Sequence, residues 1–151
     1  MPKGLLNYTT TIEAAKTAGE VQGILAGHGA KAILTEYDDS GTICALSFKI
    51  LTPHGDLGIR LPIEPDATLK VLNRQAGLGK IPRRYANRTQ AIRIAWRIIK
   101  DWVEAQVAIL ETEMVKMEQI FLPYVMARDG KTIYEHMLET KFLALPEGQT
   151  E

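Results

Sequence analysis

The run Thr42–Leu51 alternates without a break: Cys44, Leu46, Phe48 and Ile50 fall on one side, Ala45, Ser47 and Lys49 on the other. A period of two over this length fits a strand with one buried face and is wrong for an amphipathic helix. Asp38-Asp39-Ser40-Gly41 precedes it and Pro53-His54-Gly55-Asp56 follows. Both are turn-forming clusters. The flanking runs Ala32–Tyr37 and Leu57–Leu61 therefore read as antiparallel neighbours, and the three strands as a meander. A half-buried sheet needs an apolar cover on one face, which the rest of the chain must supply as helices. Its other face is wet or covered by a partner.

Helix signals stand on both sides of the sheet. Thr10 and Glu13 have capping-box spacing, so a helix is expected from there to about Ala26, ending at Gly27-His28-Gly29. Leu5–Thr9 before it is β-prone. Pro65, between Glu64 and Asp66, suits a helix start, and that helix should stop at Gly77-Leu78-Gly79. Asn87 and Gln90 repeat the capping-box pattern and open a long helix, expected from Arg88 to Phe121, where Pro123 ends it. A last helix is expected from Thr132 to Lys141, with a frayed tail from Leu145.

The expected class is α+β: helix, three-stranded antiparallel meander, helix, a long helix and a short terminal helix. At 151 residues this is one domain. It divides into an α/β part (1–79), a basic linker (80–86), the long helix (87–122) and a C-terminal turn, helix and tail (123–151). A chain of this size buries enough surface to fold without a disulfide or metal staple.

A 34-residue helix would be about 51 Å long, more than a domain of this size spans. Ile92, Trp96, Ile99, Val103, Leu110, Met114, Met117 and Phe121 form a stripe along it. Left in water the stripe is costly, so the sequence predicts a homo-oligomer built on it, with Trp102, Leu110, Met114, Met117 and Phe121 at the interface. The alternative is a kinked helix folded over its own sheet.

Charge is segregated. Lysine plus arginine number 18, as do aspartate plus glutamate, and the net charge is zero. Yet the 34 residues from Ala67 to Lys100 hold nine cations and no acid: Lys70, Arg74, Lys80, Arg83, Arg84, Arg88, Arg93, Arg97 and Lys100. Arg88 and Arg93 open the long helix, and Asp101, Glu104, Glu111, Glu113 and Glu118 fill its later part. Both placements oppose the helix dipole. A local rule broken twice in one element points to function. Arginine suits bidentate phosphate contact and tyrosine can stack on a base. The candidate nucleic-acid-binding residues are therefore Lys80, Arg83, Arg84, Tyr85, Arg88, Arg93, Arg97 and Lys100, with Arg60 outward on the sheet. Three other fates compete: an antiparallel neighbour's acidic half, an acidic protein partner, and plain i,i+4 pairing of Arg97 with Asp101 and Lys100 with Glu104.

Signals for chemistry are few. His28, His54 and His136 lack metal-ligand spacing. Glu36, Asp38 and Asp39 cluster in a turn whose backbone needs explain them. Cys44, the sole cysteine, excludes an intrachain disulfide and reads as a small buried apolar residue. No dinucleotide, Walker or nucleophile-elbow motif is present. No enzyme activity, cofactor, metal or small-molecule substrate is expected. The one enzymatic alternative is a metal-dependent nuclease using Asp101 and Glu104. No apolar run is long enough for a membrane helix, and no signal-peptide core follows Met1-Pro2-Lys3, so a cytoplasmic location is expected.

The order helix, three antiparallel strands, helix over about Thr10–Ala76 resembles that of double-stranded-RNA-binding domains. Glu64-Pro65-Asp66 stands where that family has a lysine-rich helix start, so no duplex-RNA site carries over. Leu5–Ile12, Ala95–Gln106 and Phe121-Leu122-Pro123-Tyr124 resemble a group of small uncharacterised proteins of phages and prophages. The resemblance covers most of the chain and implies a phage context, in which proteins of this size without an enzyme motif often handle DNA or other proteins. It supplies no functional residues, and with the basic segment the expected setting is phage replication or recombination in a bacterial cell. The function expected is binding of nucleic acid, single-stranded DNA before duplex. The alternative is a homo-oligomeric interaction module: a regulator, inhibitor or assembly subunit.

Overall fold

The computed structural model describes residues 3–142. The expected tail from Leu145 lies outside them. Helix α1 (Ala14–Ala26) leads into strands β1 (Ala30–Tyr37), β2 (Ile43–Thr52) and β3 (Gly55–Arg60). Helices α2 (Pro65–Gly77), α3 (Arg88–Glu111), α4 (Met117–Ile120) and α5 (Ile133–Glu139) follow, with single 3-10 turns at Arg83–Tyr85 and Leu122–Tyr124. The architecture is α+β in the expected order.

The sheet is antiparallel in the order β1-β2-β3. Leu46, Phe48 and Ile50 of β2 and Ile59 of β3 point inward and are buried under α1 and α3. Cys44 departs from the expected alternation. Glu36 pairs with Ala45 but Tyr37 pairs with Ile43, so Cys44 is the extra residue of a bulge. A bulge breaks the period of two. Ile43 takes the inward place and Cys44 is exposed.

Helix α1 starts three residues later than the Thr10 signal suggests, with Glu13 at the N-cap position. The Thr10 hydroxyl instead accepts from the Ile12 amide at 3.2 Å. Leu5–Thr9 is a set of turns rather than a strand, with Asn7 in the left-handed region at φ 65°. That turn is fixed from outside. The Asn7 side-chain amide donates to Asp101 at 2.8 Å, and Gln90 donates to the Tyr8 and Thr10 carbonyls at 2.8 Å each.

The long helix is shorter than the sequence predicts. It stops at Glu111, and Glu113 takes a left-handed turn at φ 62°. Twenty-four residues give about 36 Å, so nothing needs to protrude. The chain reverses, and α4 brings Met117 and Phe121 back onto the sheet, where both are buried. Phe121 meets Phe48 edge-on at 5.4 Å and Trp102 edge-on at 5.6 Å, and Trp102 meets Tyr124 at 5.5 Å. Edge-to-face packing at these distances adds about 0.5–1.5 kcal/mol per pair beyond area burial.

The reversal corrects the expected oligomer interface. Met117 and Phe121 are core residues of this chain, Trp102 packs on aromatics of this chain, and Leu110 packs partly against the same core. Of the five, Met114 alone is strongly exposed, at 74%. The stripe is satisfied by the chain's own sheet because the helix breaks. The alternative of a helix folded over its own sheet is the observed one.

Candidate nucleic-acid interface

Two small cores frame the basic segment. The first lies between the sheet and α1 and α3. The second joins Leu72 of α2, Ile81 of the linker, and Ala91 and Ile94 of α3, with Leu5, Tyr8 and Tyr85 packed around them. Ile81 thus pins the linker, and its neighbours Lys80, Arg83 and Arg84 stay exposed. Gly79, at φ +73°, makes the turn out of α2, a conformation glycine adopts without steric cost. The Lys80 amide donates to the Gln75 carbonyl at 2.9 Å and holds the turn.

The start of α3 is capped as predicted on one side only. The Asn87 side chain accepts from the Gln90 amide at 2.9 Å. Gln90 does not return the bond; its side chain ties down the N-terminal segment instead.

The nine candidates separate once their partners are known. Arg93 is paired with Glu13 at 2.5 Å, and Arg97 with Glu20 at 2.7 Å and the Thr17 hydroxyl at 3.3 Å. Glu13 holds the N-cap position of α1 and Glu20 lies within it. Together with His28 and Glu111, 3.0 Å apart, they show α1 and α3 lying side by side and parallel, zipped at three levels. Lys100 pairs with Glu104 at 2.5 Å, as the spacing allowed. Arg97 does not pair with Asp101, which is taken by Asn7. Arg88 is joined to Asp66 at the start of α2. Four of the nine are therefore neutralised within the chain. Arg97 and Lys100 are also largely covered, at 15% and 17% exposure.

Tyr85 is half-buried. Its ring meets Tyr8 edge-on at 5.4 Å, and the Arg84 guanidinium lies 4.8 Å from its centre. One π-face is thus occupied by a cation, and the expected role in stacking a base loses its opening. Arg60 stands apart on the outer face of the sheet. It lines a cleft of about 470 Å³ with Cys44, Tyr124, Tyr134 and Glu135.

What remains together is a smaller cluster. Lys70 and Arg74, one turn apart on α2, and Lys80, Arg83 and Arg84 are all exposed. Among the described residues none of the five has a carboxylate at ion-pair distance. Lys70 and Arg74 belong to the acid-free block but not to the contacts expected from the sequence. Their i,i+4 spacing on a helix ending beside the linker was the available signal.

The other chemical candidates resolve into local structure. Asp38 accepts from the Ser40 hydroxyl, the Ser40 amide and the Thr42 amide at 2.6, 2.9 and 3.0 Å. The Ser40 hydroxyl, and then the Thr42 amide, hold its carboxyl below the usual range. The carboxylate serves the turn. Asp129 is likewise held low, first by the Lys131 amide and then by His136. Asp101 and Glu104, the alternative nuclease pair, are engaged by Asn7 and Lys100. Among the described residues no group of three histidine, cysteine or acidic side chains could hold a metal ion, and no helix is long and apolar enough to cross a membrane.

His28 is the titrating link of the α1–α3 zipper. Its Nε2 faces Glu111 and its Nδ1 faces the Ile24 carbonyl at 2.7 Å. Glu111, and next the carbonyl, raise its pKa above 6.5. No protein-family model, characterised protein or solved structure matches the chain.

Proposed function

We propose that the protein binds nucleic acid through the phosphate backbone, using Lys70, Arg74, Lys80, Arg83 and Arg84. One observation carries this reading: five exposed cations within fifteen residues, without an acidic partner among the described residues. Held on one turn and the adjoining helix, they suit a row of phosphates. The paired arginines of α3 take no part, and with Tyr85 half-buried and one face of its ring held by Arg84, base stacking is not part of this reading. Phage replication or recombination is the context we propose for it, in keeping with the resemblance to small phage and prophage proteins noted in the sequence.

The test is fluorescence anisotropy with a labelled single strand and its duplex across a salt series. Five phosphate contacts give a log–log slope of about −3.5 on the single strand and about −4.5 on the duplex. Comparable affinity for the two is expected at low salt, with the duplex losing affinity faster as salt rises. No binding at low salt overturns the reading and assigns the same cations to an acidic protein partner.

A further inference from the structure

We infer that a second copy of this chain pairs with the free edge of β1, giving a two-fold dimer with one continuous six-stranded sheet. The two edges of the sheet are treated differently. The β3 edge is covered by the chain itself: Ile59 bridges to Val125, and the Met126 amide donates to the Gly58 carbonyl at 2.8 Å. The β1 edge has no strand beside it among the described residues. An edge strand presents a row of unpaired amide and carbonyl groups, a template for another strand. Its outward side carries Leu34, 60% exposed, in a shallow apolar depression with Ala32 and Met126.

Charge and register favour this strand's own copy. Lys31, the bulged residue before the regular ladder of Ala32–Tyr37, stands near one end and Glu36 near the other. Antiparallel self-pairing sets the positive end of each strand beside the negative end of its partner, whereas parallel pairing sets like beside like. Side chains directly opposite in an antiparallel pair share a face, so the two-fold must pass through a residue and not between two. Passing it through Leu34 puts Leu34 against the partner's Leu34, and Ala32 against the partner's Glu36, with no like charges opposed.

The flank of α1 fits the same axis. Glu13, Thr17 and Glu20 face α3. At 100° per residue the opposite flank holds Ala15, Gly19, Gln22 and Ala26. Ala15, Gly19 and Gln22 of this flank and Tyr37, at the end of β1, line a common cleft of about 400 Å³. A side chain at Gly19 would meet nothing within 4 Å in this chain. Glycine there weakens the helix without an intrachain need for its smallness. Closing the dimer through β1 brings this flank toward its counterpart, and small residues let the two helices approach.

Sedimentation equilibrium of the full chain across the micromolar range is the test. A reversible dimer is expected, with Kd raised at least about tenfold by Leu34→Lys and by Gly19→Leu. Both positions leave the protomer intact, one being exposed and the other opening on free space. Leu34→Cys in a Cys44→Ser background should form a disulfide-linked dimer on mild oxidation. A chain that stays monomeric throughout, or a dimer unmoved by Leu34→Lys and unlinked through Leu34→Cys, overturns the inference.

Discussion

Two groups of cations, adjacent in sequence, meet opposite fates. Those of α3 are neutralised within the chain, Arg93 and Arg97 by acids about eighty positions earlier that lie against the helix. Those of α2 and the following turn face water. Composition treats them as one block of positive charge. The fold divides them into a structural half and a free half, because a helix face packed beside another helix must find counter-charges there. The free half is where a charged ligand finds cations without first displacing an acid.

The largest effect that would break this division comes from Arg97→Glu. It sets a second carboxylate against Glu20 at a site only 15% exposed. We expect a loss of about 3 kcal/mol, a fall in Tm of roughly 6–12 °C, read by urea and thermal unfolding, and an unchanged salt slope for the folded protein. Intact stability with lost binding would exchange the roles of the two groups.

Next comes the converse variant, Lys80→Ala with Arg83→Ala and Arg84→Ala. The slope on duplex should flatten to about −1.8, since two phosphate contacts remain. Stability should fall by no more than about 1 kcal/mol, chiefly the Arg84–Tyr85 contact. Glu13→Gln sharpens the comparison further by removing the partner of Arg93 only. Glu13 is mostly exposed, so less than about 1 kcal/mol should be lost. The slope should stay the same; a steeper one would mean that Arg93 can be recruited by phosphate.

The smallest effect belongs to the third level of the zipper. The pKa of His28 is higher folded than unfolded, so its contribution is complete below pH 6.5 and fades as pH rises through the raised value. The urea midpoint should decline slightly over that window. Glu111→Gln should remove most of the decline, leaving the part due to the Ile24 carbonyl, and a flat profile in the parent chain would show that the pair contributes nothing.

Much of the fold was legible because its signals are local. Alternation placed β2, and the Asp38–Gly41 and Pro53–Asp56 turns placed its neighbours. Pro65 marked the start of α2, and Thr132 the last helix, where it forms a capping box with Glu135. The break after Glu111 was not legible, since neither glycine nor proline marks it. The apolar spacing of Met114, Met117 and Phe121 runs through the break as if the helix continued. A left-handed glutamate costs about 1–2 kcal/mol, and the burial of Met117 and Phe121 offsets it. The basic cluster was legible as charge, but which cations were free was not. That depended on Glu13 and Glu20, whose position against α3 follows only from tertiary packing. The exposed Cys44 was hidden for a similar reason, since the bulge is set by pairing with β1.

The parallel placement of α1 beside α3 also bears on how the chain is made. The sheet is complete once Arg60 has been added, yet Trp96, Ile99, Val103 and Val107, which complete its cover, come 36 to 47 residues later. At ribosomal speeds of about 5–20 residues per second, that interval is roughly 2–9 s. Throughout it, Leu46, Phe48, Ile50 and Ile59 have only α1 to shelter them. The nascent chain passes through a stage at which its sheet is finished and half uncovered, the moment when a chaperone has most to hold.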